Sequence, residues 1–299
     1  MSAGKRVSLA LLLSILPCGL VTGAPPEEAR VAEMRSLASR LKYQTGRIRL
    51  RDGLATINLT DAFRYLDPAG ADTLLTGIWG NPPSHARTLG VIAPADFDPF
   101  GPLAWCVVVS YDEDGYVKDD DAASIDYADL LRQMQEKTRE SSKQRVKDGY
   151  PSVALIGWAA KPSYDRRTHK FYWAKEMKFG DSGGGDTLNY NLRILGRGGV
   201  LVLNVVASMS QLKVVERSVP EILGMVDFDA GNRYADYKPG TDRVATYGLA
   251  ALVAGGIAAK TGLLKGLLVA LLAMKKLVVV AVVALIAFLK KLFGGKVAE

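Results

Sequence analysis

The sequence predicts an α+β fold: a mixed, mainly antiparallel sheet with flanking helices, followed by a C-terminal membrane helix or helices. Three observations predict it. Residues 168–207 read as three strands joined by two glycine-marked turns, with apolar positions at the two-residue period of a half-buried strand. Residues 124–147 and 210–225 carry apolar residues at helical spacing. The last segment, 244–293, is apolar and interrupted mainly by lysines, as expected of a chain that meets lipid.

The ends set the domain organisation. Residues 1–23 have a basic start, an apolar run and small residues at 22–24, which is the anatomy of a secretory signal peptide cut after Gly23. Residues 24–243 form the α+β domain, and 244–299 the membrane anchor with lysine-rich flanks. The net charge of +7 resides in these ends, leaving the middle close to neutral. A nucleic-acid partner, which needs a basic face on the folded body, is therefore excluded. Lysine-rich flanks favour the cytoplasmic side. With a cleaved leader, that expectation puts the main domain outside a bacterial inner membrane, in the periplasm or its equivalent, with the lipid bilayer as a partner and room for an envelope protein partner. Cleavage leaves Cys106 as the single cysteine, flanked by Trp105 and valines, so a buried inert thiol is expected.

Taken in order, 27–43 is charged and helix-permissive. Residues 47–50 and 55–59 alternate like a hairpin across Asp52-Gly53. Thr60 or Asp61 is placed to cap a helix through Leu66, and 72–79 a second short one, ended by Gly80 and two prolines. Residues 89–93 and 103–111 read as strands on either side of a proline loop. A helix capped near Ser124 or Asp126 follows, with Tyr127, Leu130, Leu131 and Met134 on its apolar face. Residues 153–158 form a strand and 161–167 a loop. In the central meander, Leu188, Tyr190, Leu192 and Ile194 share one face, and Asn189, Asn191, Arg193 and Leu195 the other. In the helix at 210–225, Pro220 predicts a kink or a division. Residues 228–243 read as a linker rich in Gly, Asp and Tyr.

Three groups of residues carry chemistry. Gly180-Asp181-Ser182-Gly183-Gly184 copies the nucleophile motif of trypsin-like serine proteases, so Ser182 defines an envelope hydrolase as an alternative. That chemistry needs a histidine base and a buried aspartate, and the chain has only His85 and His169 to offer. Residues 110–121 follow the spacing of an EF-hand loop, with Asp112, Asp114 and Asp121 as metal ligands and calcium the cation such a loop would take. The plainer reading is an acidic strand-to-helix turn, and no cofactor is otherwise expected. Tyr164, Asp165, Arg167, His169, Tyr172, Trp173 and Lys175 form a polar and aromatic cluster suited to a ligand or partner surface. The competing reading is cross-strand pairing on a sheet's wet face. Asn189, Asn191 and Asn204 read as buried hydrogen-bonders.

The segments DGYVKDDDA (114–122), GWAAKPSYDRRTHKFYWAKE (157–176), TLNYNLRILGRGGVLVLNVVA (187–207) and YGLAALVAGGIAAK (247–260) together resemble the bacterial uncharacterised membrane-anchored protein family, domain of unknown function 2167. The resemblance implies a signal peptide, an extracytoplasmic domain and a C-terminal anchor, and supplies no catalytic residues. The expectation is a membrane-anchored, non-enzymatic binding or envelope-homeostasis module.

Overall fold

The computed structural model describes residues 27–81, 88–180 and 185–255. Seven strands form one antiparallel sheet: β3 (Phe63–Leu66), β4 (Thr88–Pro94), β5 (Cys106–Asp112), β6 (Val153–Asp165), β7 (Lys170–Phe179), β8 (Thr187–Leu195) and β9 (Val200–Ser208). Their order across the sheet is β3-β4-β5-β9-β8-β7-β6. A second, three-stranded antiparallel sheet pairs β1 (Arg47–Leu50) and β10 (Val226–Phe228) with the two edges of β2 (Ala55–Asn58).

The meander β7-β8-β9 is the part the sequence pattern specifies best. Residues 170–177 pair with 187–194, and 187–195 with 200–208, without a slip. A one-residue shift would turn every buried side chain of β8 outward, so the alternation pins the register. Gly199 closes the turn: a Cβ there would sit 2.2 Å from the Asp112 carbonyl oxygen.

On one face of the large sheet, Leu188, Tyr190, Leu192, Ile194, Leu201, Leu203 and Val205 pack beneath α4 (Leu212–Met225) and the small sheet. The other face is covered in two places. Around β3 to β5, Leu66, Val91, Ala93 and Cys106 meet α1 (Glu27–Ser39) and α2 (Pro68–Asp72). Around β6 to β9, Leu155, Phe171, Trp173 and Val202 meet α3 (Tyr127–Lys147) and α5 (Leu249–Val253).

Several expectations are corrected. Residues 60–66 form no helix, because Phe63 and Tyr65 pair with Pro94 and Ile92 as strand β3. Burial of Phe63, Tyr65 and Leu66 outweighs the local capping signal. The cap belongs to Asp67, whose carboxylate accepts the Gly70 N–H at 2.8 Å to start α2. Residues 161–165 extend β6 rather than forming a loop. Pro220 sits on the exposed side of an uninterrupted α4, so the expected break does not occur. The segment 228–243 is held against the body, with Tyr234 buried, and is not a free linker.

The C-terminal membrane helix is the largest correction. Among the described residues, no helix is long and apolar enough to cross a membrane. At the start of the expected anchor, the five-residue α5 buries Leu249, Leu252 and Val253 beside Trp173 and Val200. These three apolar side chains are buried in the protein's own core. The described structure therefore supports neither the lipid-bilayer partner nor the inner-membrane placement. The leader at 1–23, the remainder of the anchor at 256–299 and the loop containing Ser182 lie outside the described residues.

Candidate functional site

Between its two apolar patches, the face of the large sheet opposite α4 is polar. Strand register places Lys175 opposite Asn189, Trp173 opposite Asn191, and Asn191 opposite Asn204. Arg193 lies two residues along β8 from Asn191, on the same face. Lys175, Asn189, Arg193 and Asn204 are half-buried, and Val206 beside them is 39% exposed.

The acceptors of this strip are already engaged. Arg193 Nη1 donates to Asn204 Oδ1 at 3.0 Å and to the Leu192 carbonyl at 2.9 Å, and Nη2 reaches Asn191 Oδ1 at 3.4 Å. Asn191 Nδ2 donates to Asn189 Oδ1 at 3.0 Å. The guanidinium lies 5.1 Å from the centre of the Trp173 ring, in cation–π range. Left over among the described residues are donors: the Lys175 ammonium and the Asn189 and Asn204 amide N–H groups. The buried Trp173 indole N–H also has no partner among the described residues.

Lys175 and Arg193 thus both place a cation on this strip, Lys175 pairing with Asn189 four residues along β8 from Arg193. Burial, assisted by Arg193, pushes the Lys175 ammonium down to about 8. Burial likewise lowers Arg193 to about 10, with Asp112 acting in the opposite direction. Both shifts reflect a positive charge stripped of water without full compensation.

The turn between β6 and β7 carries a different constellation. The Tyr164 hydroxyl donates to Asp119 Oδ2 at 2.8 Å and lies 3.1 Å from His169 Nδ1. Tyr234 donates to the Val117 carbonyl at 3.0 Å and to Asp119 Oδ1 at 3.2 Å. The His169 ring stacks on Tyr234, Tyr234 on Tyr116, and Tyr116 on Tyr237. His169 holds the left-handed backbone conformation, φ +54°, that places its ring there. Burial lowers its pKa, with Asp119 opposing. The stack ties 116–119 and 234–237 to the hairpin turn.

The acidic loop is not a calcium site. Asp114 accepts the Tyr247 hydroxyl at 2.6 Å. Asp121 receives the Leu249 and Ala250 N–H groups at 3.0 and 3.1 Å. The carboxylates point to different neighbours because the loop bridges Val244 through Tyr116 instead of wrapping around a centre. No cluster of three or more His, Cys, Asp or Glu side chains suited to a metal occurs among the described residues. The hydrolase alternative gains no support: of its two histidines, His169 is engaged with Tyr164 and Tyr234, and His85, like Ser182, lies outside the described residues.

The predicted surface divides into parts. Trp173 and Lys175 belong to the polar strip. Tyr164 and His169 belong to the aromatic stack. Asp165 closes the hairpin turn, accepting the Arg167 N–H and the Thr168 hydroxyl, both at 2.9 Å. Tyr172 lies on the opposite face against Tyr190. Arg193 and the asparagines complete the strip. The β8 alternation already places Asn189, Asn191 and Arg193 on one face, but their neighbours across β7 and β9 become known only with the register.

The architecture is that of an α+β protein built on one large antiparallel sheet with helices on both faces. The chain belongs to the family described as "Protein of unknown function (DUF2167)", whose profile matches residues 42–286. The membrane-anchored character implied by the resemblance is not supported by that match. No curated protein is similar in sequence. Among solved structures, cyanobacterial PsbP (CyanoP) from Synechocystis sp. PCC 6803 aligns over 63% of this chain and 93% of its own, at 9% identity and a TM-score of 0.34. The Saccharomyces cerevisiae Ran-binding protein Mog1p aligns over 62% and 95%, at 11% identity and a TM-score of 0.33. LpqN of Mycobacterium tuberculosis, involved in cell envelope biogenesis, aligns over 65% and 95%, at 14% identity and a TM-score of 0.31. At those scores the likenesses carry no functional argument.

Proposed function

We propose that this protein is a binding module rather than an enzyme, and that it receives a small organic anion on the polar strip of the large sheet. The observation that carries this reading is that Lys175 and Arg193 put two cations on one polar strip. Their charges are partly desolvated, their neighbouring acceptors are used, and the remaining groups are N–H donors. A carboxylate or phosphate supplies the acceptors and the negative charge that the strip lacks. Exposed Val206, which pairs with Asn189, provides an apolar border for the carbon skeleton of such a ligand.

Isothermal calorimetry with inorganic phosphate, acetate and hexanoate tests this reading. Binding to the natural sequence and its loss in both Lys175→Gln and Arg193→Gln is the expected result. Equal heats in all three proteins, or no heat with any of the anions, would refute it. Glutamine keeps hydrogen-bonding capacity at both positions, and circular dichroism of each variant separates lost charge from lost fold.

A further inference from the structure

A second surface lies at the end of the sheet where β4 leaves and β5 enters, away from the polar strip. There the loop 95–105 and helix α4 enclose a groove of about 610 Å³. Its floor is Phe63 and Trp105, packed edge to face at 6.2 Å, with Phe97 alongside. Leu103 on one wall is 67% exposed and Val214 on the other 45%, with Phe100 at 46% on the same loop. Contiguous apolar side chains left in water in this way mark an interaction site more often than scattered ones do.

The groove is preorganised. The Gln211 amide, itself buried, donates to the Leu103 carbonyl at 2.7 Å and fixes the loop to the start of α4. The Trp79 indole N–H donates to the Pro99 carbonyl at 3.0 Å, Arg64 binds the Phe97 carbonyl, and Asp98 accepts the Phe100 N–H at 3.0 Å. Leu103 is thus held out into solvent by a loop tied along its length. A partner meeting this wall does not have to order it first.

The rim sets the partner's charge. Asp96, Asp98 and Glu221 line the opening, and among the described residues no lysine or arginine does. On α4, Val214, Ser218 and Glu221 face the groove, whereas Lys213 and Arg217 line a separate depression. The geometry points to a docking site for a short peptide segment of a partner protein, with apolar side chains entering the groove between flanking lysines or arginines. Apolar anchors would fill the floor, and the cations would meet the carboxylates at the rim, as in grooves that read amphipathic segments.

Fluorescence anisotropy of the full chain with a labelled leucine–lysine peptide tests the proposal, with a leucine–glutamate peptide as counterpart. The leucine–lysine peptide should bind, and Leu103→Ser, a change at an exposed position, should weaken it about tenfold. Asp96→Lys should weaken it further and favour the glutamate peptide, whereas Asp52→Lys, on the distant β1–β2 turn, should not. Absence of binding, indifference to Leu103→Ser, or equal effects of Asp96→Lys and Asp52→Lys would each overturn the assignment.

Discussion

Asp121 caps the backbone of Leu249 from across the domain, at 3.0 Å, and takes the Ala250 N–H at 3.1 Å with its other oxygen. One carboxylate thus starts α5 and docks it on the core. Asp121→Ala should cost about 1–2 kcal/mol, the usual cost of losing a cap. Urea titration measures the loss, and limited proteolysis should show earlier cutting within 244–255.

Two glycines should respond in opposite ways. A Cβ on Gly199 would lie 2.2 Å from the Asp112 carbonyl and 2.8 Å from the Tyr111 hydroxyl, both in the β5–β9 core. Gly199→Ala should destabilise by roughly 2–4 kcal/mol, since β5 or the turn must move. Gly224 lies exposed in α4 with nothing within 4 Å of its Cβ position. Gly224→Ala should stabilise by about 0.5–1 kcal/mol, mainly by restricting the unfolded chain. Chemical denaturation of the two variants gives both values.

Lys175 should give the protein a rising stability above neutral pH. Its folded pKa is pushed down to about 8, below the 10.5 of an ordinary lysine. Below pH 8 both states carry the proton and the burial penalty is complete. Between pH 8 and 10.5 the unfolded chain binds more protons, so stability increases with pH. Partial exposure holds that increase to about 1–2 kcal/mol. Tyr65, Tyr111 and Tyr190, raised to about 12, act in the opposite sense above pH 10. Denaturation from pH 7 to 10 should show the rise, and Lys175→Met should flatten it.

Calcium and chelators should leave the melting temperature unchanged within about 1 °C, since the acidic loop's carboxylates are committed to Tyr247, Tyr164, Tyr234 and the start of α5. Tyr247→Phe should instead lower stability by about 1–2 kcal/mol through the lost bond to Asp114. Differential scanning calorimetry with and without calcium checks both.

The meander was legible because period-two burial and glycine turns act locally, and β7, β8 and β9 follow that pattern in strict register. Helix α3 was legible through its Asp126 cap. Strand β3 was not, because its burial comes from β4, some 25 residues later in the chain. The spacing of the acidic loop matched a metal site because spacing does not say where each carboxylate points. Residues 249–253 read as lipid-facing because composition alone does not distinguish a bilayer from the domain's own core. Trp173 and Lys175 were visible as candidates, but their partners Arg193 and Asn204 lie on two other strands.

The most direct test of the anion-binding strip is two-dimensional NMR of the Trp173 indole N–H and the Lys175 side chain during titration with hexanoate and inorganic phosphate. The account predicts saturable shifts of both signals with at least one of these anions, with the Lys175 pKa moving up toward 10.5 on binding and both responses lost in Arg193→Gln. Shifts elsewhere on the protein, with Trp173 and Lys175 unmoved, would contradict it.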